Sequence, residues 1–162
     1  MIDKHKSRRE LLRKVRTIAD YQFGQDAGGV LFNDDVEFLF SRRGRVAQVL
    51  KNGWRLVTVR ANDGLMTLSP EGARRLLARF EPPRLRVVMS KESAPFVRRG
   101  KTAFAKHVVD VDPEIRAGDE VILVDENDTL LGTGKALLSA AEMLTFKHGA
   151  AVKVRYGAGG EG

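Results

Sequence analysis

Apolar positions recur at helical spacing in the first fifteen residues after Ser7. Leu11, Leu12, Val15, Ile18 and Ala19 form one stripe, which predicts a helix over Ser7 to Tyr21. Ser7 followed by Glu10 is a capping-box pattern that fixes its start. Gly24 and the pair Gly28-Gly29 end the helix and open a loop. The period then shortens to that of strands: Val36 to Phe40, Val46 to Leu50, Trp54 to Val59 and Leu65 to Leu68. Asn52-Gly53 is the strongest hairpin signal among them, because both residues tolerate positive φ. Ser69 and Pro70 begin a second helix that runs to about Phe80 and turns Ala73, Leu76, Leu77 and Phe80 inward.

Pro82-Pro83 cannot continue that helix and marks the expected domain boundary. Beyond it, strands are expected at Leu85 to Met89, Ala103 to Val109, Glu120 to Val124, Leu130 to Leu137 and Ala150 to Arg155. A short helix is expected over about Glu92 to Arg99, and another after Ser139, capped by Ser139 with Glu142. Short strands with two small helices predict a compact mixed barrel, so the fold class is α+β throughout. The expected division is 1–83, 84–156 and a glycine-rich, flexible tail over 157–162.

Charge narrows the function. The chain of 162 residues carries a formal net charge of +7. Through Pro83 there are 16 Lys and Arg against 10 Asp and Glu, and from Arg84 onward 12 against 11. The excess sits in the first half and attracts polyanions. There is no cysteine, which removes disulfides, thiolate nucleophiles and cysteine zinc sites together. The charged N-terminus has no apolar run behind it, and no window has the length of a membrane span. A cytoplasmic protein is expected.

Candidate chemistry is sparse. His5, His107 and His148 are far apart and share no ligand spacing, so no metal is expected. Asp110 and Asp112 flank Val111 before Pro113 and read as turn residues. Asp125, Glu126 and Asp128 read as a solvated acidic hairpin tip. Gly132-Thr133-Gly134 lacks the third glycine of a dinucleotide fingerprint and reads as a bulge or a close backbone approach. No cofactor motif and no nucleophile with an activating base are present, so no catalytic residue is assigned.

The basic residues are better organised. Arg98, Arg99 and Lys101 crowd a helix-to-strand junction around Gly100 and Thr102, with Lys106 in the following strand. Lys153 and Arg155 alternate with valines and are expected on one face of the last strand. These eight residues form the candidate RNA-binding site, by contacts that give affinity to phosphates. A secondary basic patch is expected from Arg8, Arg9 and Arg13 together with Arg42, Arg43 and Arg45. Tyr21 and Trp54 have the chemistry to stack on bases. Trp54 is expected to pack in the interior instead.

These residues carry a family resemblance. Phe96-Val97-x-x-Gly100-Lys101-x-x-Phe104-Ala105-Lys106, Asp112-Pro113-Glu114-Ile115-Arg116-x-Gly118-Asp119-Glu120-Val121 and Leu130-Leu131-Gly132-x-Gly134-x-Ala136 follow in order. With Glu142-Met143 and the run from Gly149 to Arg155, they resemble the PUA domain, a small RNA-binding pseudo-β-barrel. Ile18 to Gly24, Val59-Arg60-Ala61-x-Asp63-Gly64 and Thr67-Leu68-Ser69 resemble the domain that precedes PUA in archaeal tRNA-guanine transglycosylases and archaeosine synthase. The resemblance implies a pre-PUA α+β domain followed by a PUA domain. It further implies an RNA partner, most simply tRNA held by its acceptor stem and 3′ end. No position matches the catalytic barrel of those enzymes. The expected role is therefore a non-catalytic accessory of tRNA modification in the archaeosine pathway, working with a separately encoded catalytic subunit. The alternatives are a ribosome-associated or translation factor and an enzyme built on Asp110 and Asp112.

Overall fold

The computed structural model describes residues 2–159. The chain divides into two compact units, Met1–Arg79 and Phe80–Gly162. Pro82-Pro83, expected at the division, lies inside the second unit.

The first unit begins with α1 (Arg8–Phe23), whose capping box is complete. The Glu10 amide donates to Ser7 Oγ at 3.2 Å, and the Ser7 amide donates to the Glu10 carboxylate at 3.0 Å. A short helix follows, α2 (Ala27–Leu31), where the sequence pattern predicts loop. The reason is tertiary. Gly28 lies against the α1 backbone, and a Cβ there would run into the Arg16 carbonyl. The Gly28 amide is also taken by the Asp20 carboxylate at 2.7 Å. Then come β1 (Glu37–Phe40), β2 (Val46–Lys51), β3 (Trp54–Val59), β4 (Met66–Leu68) and α3 (Pro70–Arg79). The four strands form an antiparallel meander in sequence order. Leu11, Val15, Ala19 and Phe23 of α1 are buried, as are Leu56, Val57, Met66 and Leu68 of the sheet and Leu76 of α3. At about 25 cal/mol per Å² of apolar surface, this burial is the main force holding the unit.

The second unit contains β5 (Arg86–Met89), α4 (Ala94–Arg98), β6 (Ala103–Phe104), β7 (Val108–Val111), β8 (Glu120–Val124), β9 (Leu130–Ala136), α5 (Ala140–Thr145) and β10 (Ala150–Gly157). The single strand expected over Ala103 to Val109 is broken by a 3-10 turn at Ala105–His107. Two tertiary hydrogen bonds hold the break: the Ala105 amide donates to the Gly149 carbonyl, and the Ser90 amide donates to the His107 carbonyl. The sheet runs β6-β10-β9-β8-β5-β7, antiparallel except for β5 with β8. Its edge strands β6 and β7 are joined by the 3-10 turn alone. A connection that short spans at most about 13 Å, so the two edges must come round toward each other. The sheet is therefore a curled pseudo-barrel. Its core holds Val87, Met89, Val97, Val121, Leu123, Leu131, Met143 and Val152.

The structure sharpens three local expectations. Asp128, exposed at the hairpin tip, also has a structural partner: its carboxylate grips the guanidinium of Arg86, which is 1% exposed, at 2.8 and 2.9 Å. Gly132 and Gly134 mark close backbone approach, because a Cβ at either would overlap a β10 carbonyl, that of Tyr156 or Lys153. Nor is all of 157–162 tail. Gly157 pairs with Gly132, and the amides of Ala158 and Gly159 donate to the carbonyls of Leu131 and Arg98. Residues 160–162 lie outside the described part.

Candidate nucleic-acid interface

The site begins at the end of α4. The Lys101 amide donates to the Phe96 carbonyl at 3.0 Å, and the Gly100 amide to the Val97 carbonyl at 2.8 Å. This pair of bonds is a Schellman motif, and it requires the left-handed φ of +93° found at Gly100. Nothing approaches the place where a Cβ would sit, so glycine stands here for its backbone freedom and leaves the turn open to a ligand.

The turn releases Lys101 and Thr102 into an open groove of about 550 Å³. Lys106 lines it from the 3-10 turn, and Glu92 and His107 complete its polar wall. Phe96 and Phe104 also line it, 55% and 46% exposed. Two unburied rings next to two lysines offer both halves of a nucleotide site, a face for the base and charge for the phosphate. Arg99 lies over the Phe96 ring with its guanidinium carbon 5.9 Å from the centroid.

The eight residues assigned from the sequence do not form one patch. Lys101, Thr102 and Lys106 share the groove. Arg98 faces a second depression with Lys91, Asp125 and Glu126, and Arg99 borders the same depression. Lys153 lies on the outer sheet face, directly opposite Lys135 in the ladder, and Lys135 is opposite Glu120. The β10 ladder shifts between Val154 and Tyr156. Arg155, at that shift, reaches the Glu120 carboxylate at 2.7 and 2.8 Å. Its charge is neutralised within the fold and is withdrawn from the site.

Comparison with known proteins agrees with this fold. Residues 13–83 match the model of the patch-forming domain C2 of tRNA-guanine transglycosylase, and residues 85–157 match the model of the PUA domain. The second half of the chain is a PUA domain. Over 154 residues the chain is 51% identical to the tRNA-guanine(15) transglycosylase of Pyrococcus abyssi, covering 95% of this chain and 26% of that one. It spans about a quarter of the length of the curated relatives it matches. Among solved structures, a hypothetical protein of Pyrococcus horikoshii OT3 shares the fold with a TM-score of 0.74 at 23% identity, over 94% of this chain and 92% of that one. A conserved PUA domain protein from Thermoplasma acidophilum aligns with a TM-score of 0.65 at 21% identity, over 96% and 93%.

The basic residues of the C2 domain also divide. Arg8 is structural: its guanidinium donates to the carbonyls of Asp34 and Val36 and lies 5.4 Å from the Phe38 ring centroid. Arg9, Arg13, Arg42, Arg43 and Arg45 are exposed, with no side-chain ion pair among the described residues. Trp54, expected inside, is 69% exposed, and Tyr21 is 83% exposed. In the PUA domain, three groove or sheet residues escaped sequence reasoning. Lys135 is the one exposed position in an otherwise buried strand, and its charge is the signal in the sequence. Phe96 and Phe104 belong to the motif that carries the resemblance, but their exposure depends on tertiary placement.

Asp110 and Asp112 are held as turn residues. Asp112 is 8% exposed, and its two oxygens accept from the amides of Leu85 and Glu114. Asp110 accepts from the Val111 amide. Among the described residues no group of His, Asp and Glu is arranged to hold a metal ion, and no helix is long and apolar enough to cross a membrane.

Proposed function

We propose that this chain binds RNA through the PUA groove and serves tRNA modification as a non-catalytic accessory. The observation that carries the reading is the pairing of exposed Phe96 and Phe104 with Lys101 and Lys106 in one open groove. Exposed rings in a soluble domain give up hydrophobic burial, and a base that covers them recovers it. The kinship with tRNA-guanine(15) transglycosylases supports tRNA as the RNA, and a groove at an open turn suits a single-stranded 3′ end better than a duplex. A separately encoded catalytic subunit completes the reading, because tethering the substrate raises its local concentration at that subunit.

The test is a tRNA-binding titration with Lys101→Ala/Lys106→Ala and Phe96→Ala/Phe104→Ala variants. Both double variants weaken binding by about tenfold or more, while thermal unfolding stays nearly unchanged because all four residues are exposed. Unaltered binding in both would remove the groove from the site.

A further inference from the structure

A second cavity lies in the C2 domain, and the function above leaves it unused. It is a slot of about 140 Å³ between the N-terminal segment, α1, the β1–β2 hairpin and the β3–β4 turn. Its lining is apolar at Ile2, Ile18, Val46, Ala47 and Val59, with Arg43, Arg45 and the Ser41 hydroxyl at the hairpin side. That volume is close to the roughly 150 Å³ of an apolar cavity able to take one benzene ring.

We propose that this slot takes one unstacked base of a single-stranded RNA, with Arg43 and Arg45 holding the adjoining phosphates. The inference rests on the RNA-binding reading and adds a second contact to it. Three observations converge. Arg43 and Arg45 have no side-chain hydrogen bond or ion pair among the described residues, whereas Arg60, on the opposite wall, is neutralised by Asp63 at 2.7 Å. Charge is thus left free at one end of the slot only. The hairpin tip is fixed from behind: the Lys4 amide donates to the Gly44 carbonyl at 2.6 Å and the Val46 amide to the Ile2 carbonyl at 2.9 Å, so the arginines project from a braced frame. Tyr21 stands one turn along α1 from Ile18 and is 83% exposed. Lys14 is one turn to the other side and is also exposed. Residues three and four apart share a helix face, so Lys14, Ile18 and Tyr21 form a row. A base in the slot puts its neighbour within reach of the tyrosine ring.

The experiment uses the whole chain and two probes, a single-stranded oligouridylate carrying 4-thiouridine and a blunt RNA duplex of the same length. Photocrosslinks to the single strand are expected in the peptides bearing Tyr21 or Ser41 to Arg45. Ala47→Leu fills the slot at constant charge and lowers oligouridylate affinity about fivefold or more, with the duplex unaffected; Tyr21→Ala, a surface change that leaves folding intact, does the same. Arg43→Gln/Arg45→Gln weakens the single strand more than the duplex. Equal losses on both probes for the arginine variant, with none for Ala47→Leu or Tyr21→Ala, would overturn the slot in favour of a plain cationic surface. Crosslinks confined to the PUA domain would also overturn it, while leaving the PUA groove standing. Failure of both probes and of tRNA to bind would overturn both readings.

Discussion

Asp128 shows how a partner gives a surface residue a structural role that composition does not reveal. It stands among acidic neighbours in a hairpin, yet it neutralises Arg86, the largest fully buried side chain among the described residues. Removing one member of such a pair leaves an uncompensated charge. Asp128 has φ +62°, which asparagine tolerates, so Asp128→Asn removes charge without backbone strain. Because the carboxylate side is 39% exposed, solvent screens part of the loss. We expect Asp128→Asn to lower stability by about 2 kcal/mol in urea unfolding, against almost nothing for Glu126→Gln at the same tip. The C2 domain has its own titrating residues. Asp63 is held below the ordinary carboxylate range first by the Leu65 amide, with Arg60 adding to it and desolvation opposing. Asp35 is lowered by its hydrogen bond to Lys51, Glu10 by the Ser7 amide and Asp3 by the His5 amide. Each folded value lies below the unfolded one. The stabilisation is therefore complete above the unfolded carboxylate range and is lost as pH falls through the folded values. Thermal unfolding of the intact chain should fall below about pH 4, and Asp63→Asn should make that fall shallower.

At the scale of elements, legibility followed how local the cause was. The α1 helix was readable because its stripe and its Ser7–Glu10 cap are both in sequence. The Asn52-Gly53 turn was readable for the same reason, with φ +52° and +80° as the motif requires. The α2 helix was not, since Gly28 is favoured there only by its contact with the Arg16 backbone. The break between β6 and β7 was hidden too, because alternation continues through Ala105 and the bonds that end it come from Gly149 and Ser90. The candidate site divides in the same way: the Gly100 turn is a local signal, while the withdrawal of Arg155 by Glu120 depends on a strand two positions away in the sheet. The close approach at Gly134 gives an element-scale prediction. A methyl group there must displace the Lys153 carbonyl in a ladder tied on both sides. Gly134→Ala should cost about 1–3 kcal/mol in chemical denaturation, whereas Gly53→Asn, in an open turn of positive φ, should cost well under 1 kcal/mol.

Across the whole chain, diffuse charge and shaped contact surfaces are carried by different residues. The residues through Pro83 carry 16 of the 28 Lys and Arg, while the groove with two exposed rings is in the PUA domain. Long-range attraction and short-range recognition are therefore separable by mutation. Diffuse cations raise the rate of encounter with a polyanion, and contacts made in the bound state set how long it stays. Arg9 and Arg13 of α1 suit the test: both are exposed, neither is in an ion pair among the described residues, and neither lines the groove or the C2 slot. In stopped-flow binding to tRNA, Arg9→Gln/Arg13→Gln should slow association severalfold at low salt and leave dissociation unchanged. Raising the ionic strength to 0.15 M, where the Debye length is about 8 Å, should bring the variant close to the parent. Lys101→Ala/Lys106→Ala should do the reverse, acting mainly on dissociation and persisting in salt. A dissociation rate that changes with Arg9 and Arg13 would place α1 in the bound interface and end this division of labour.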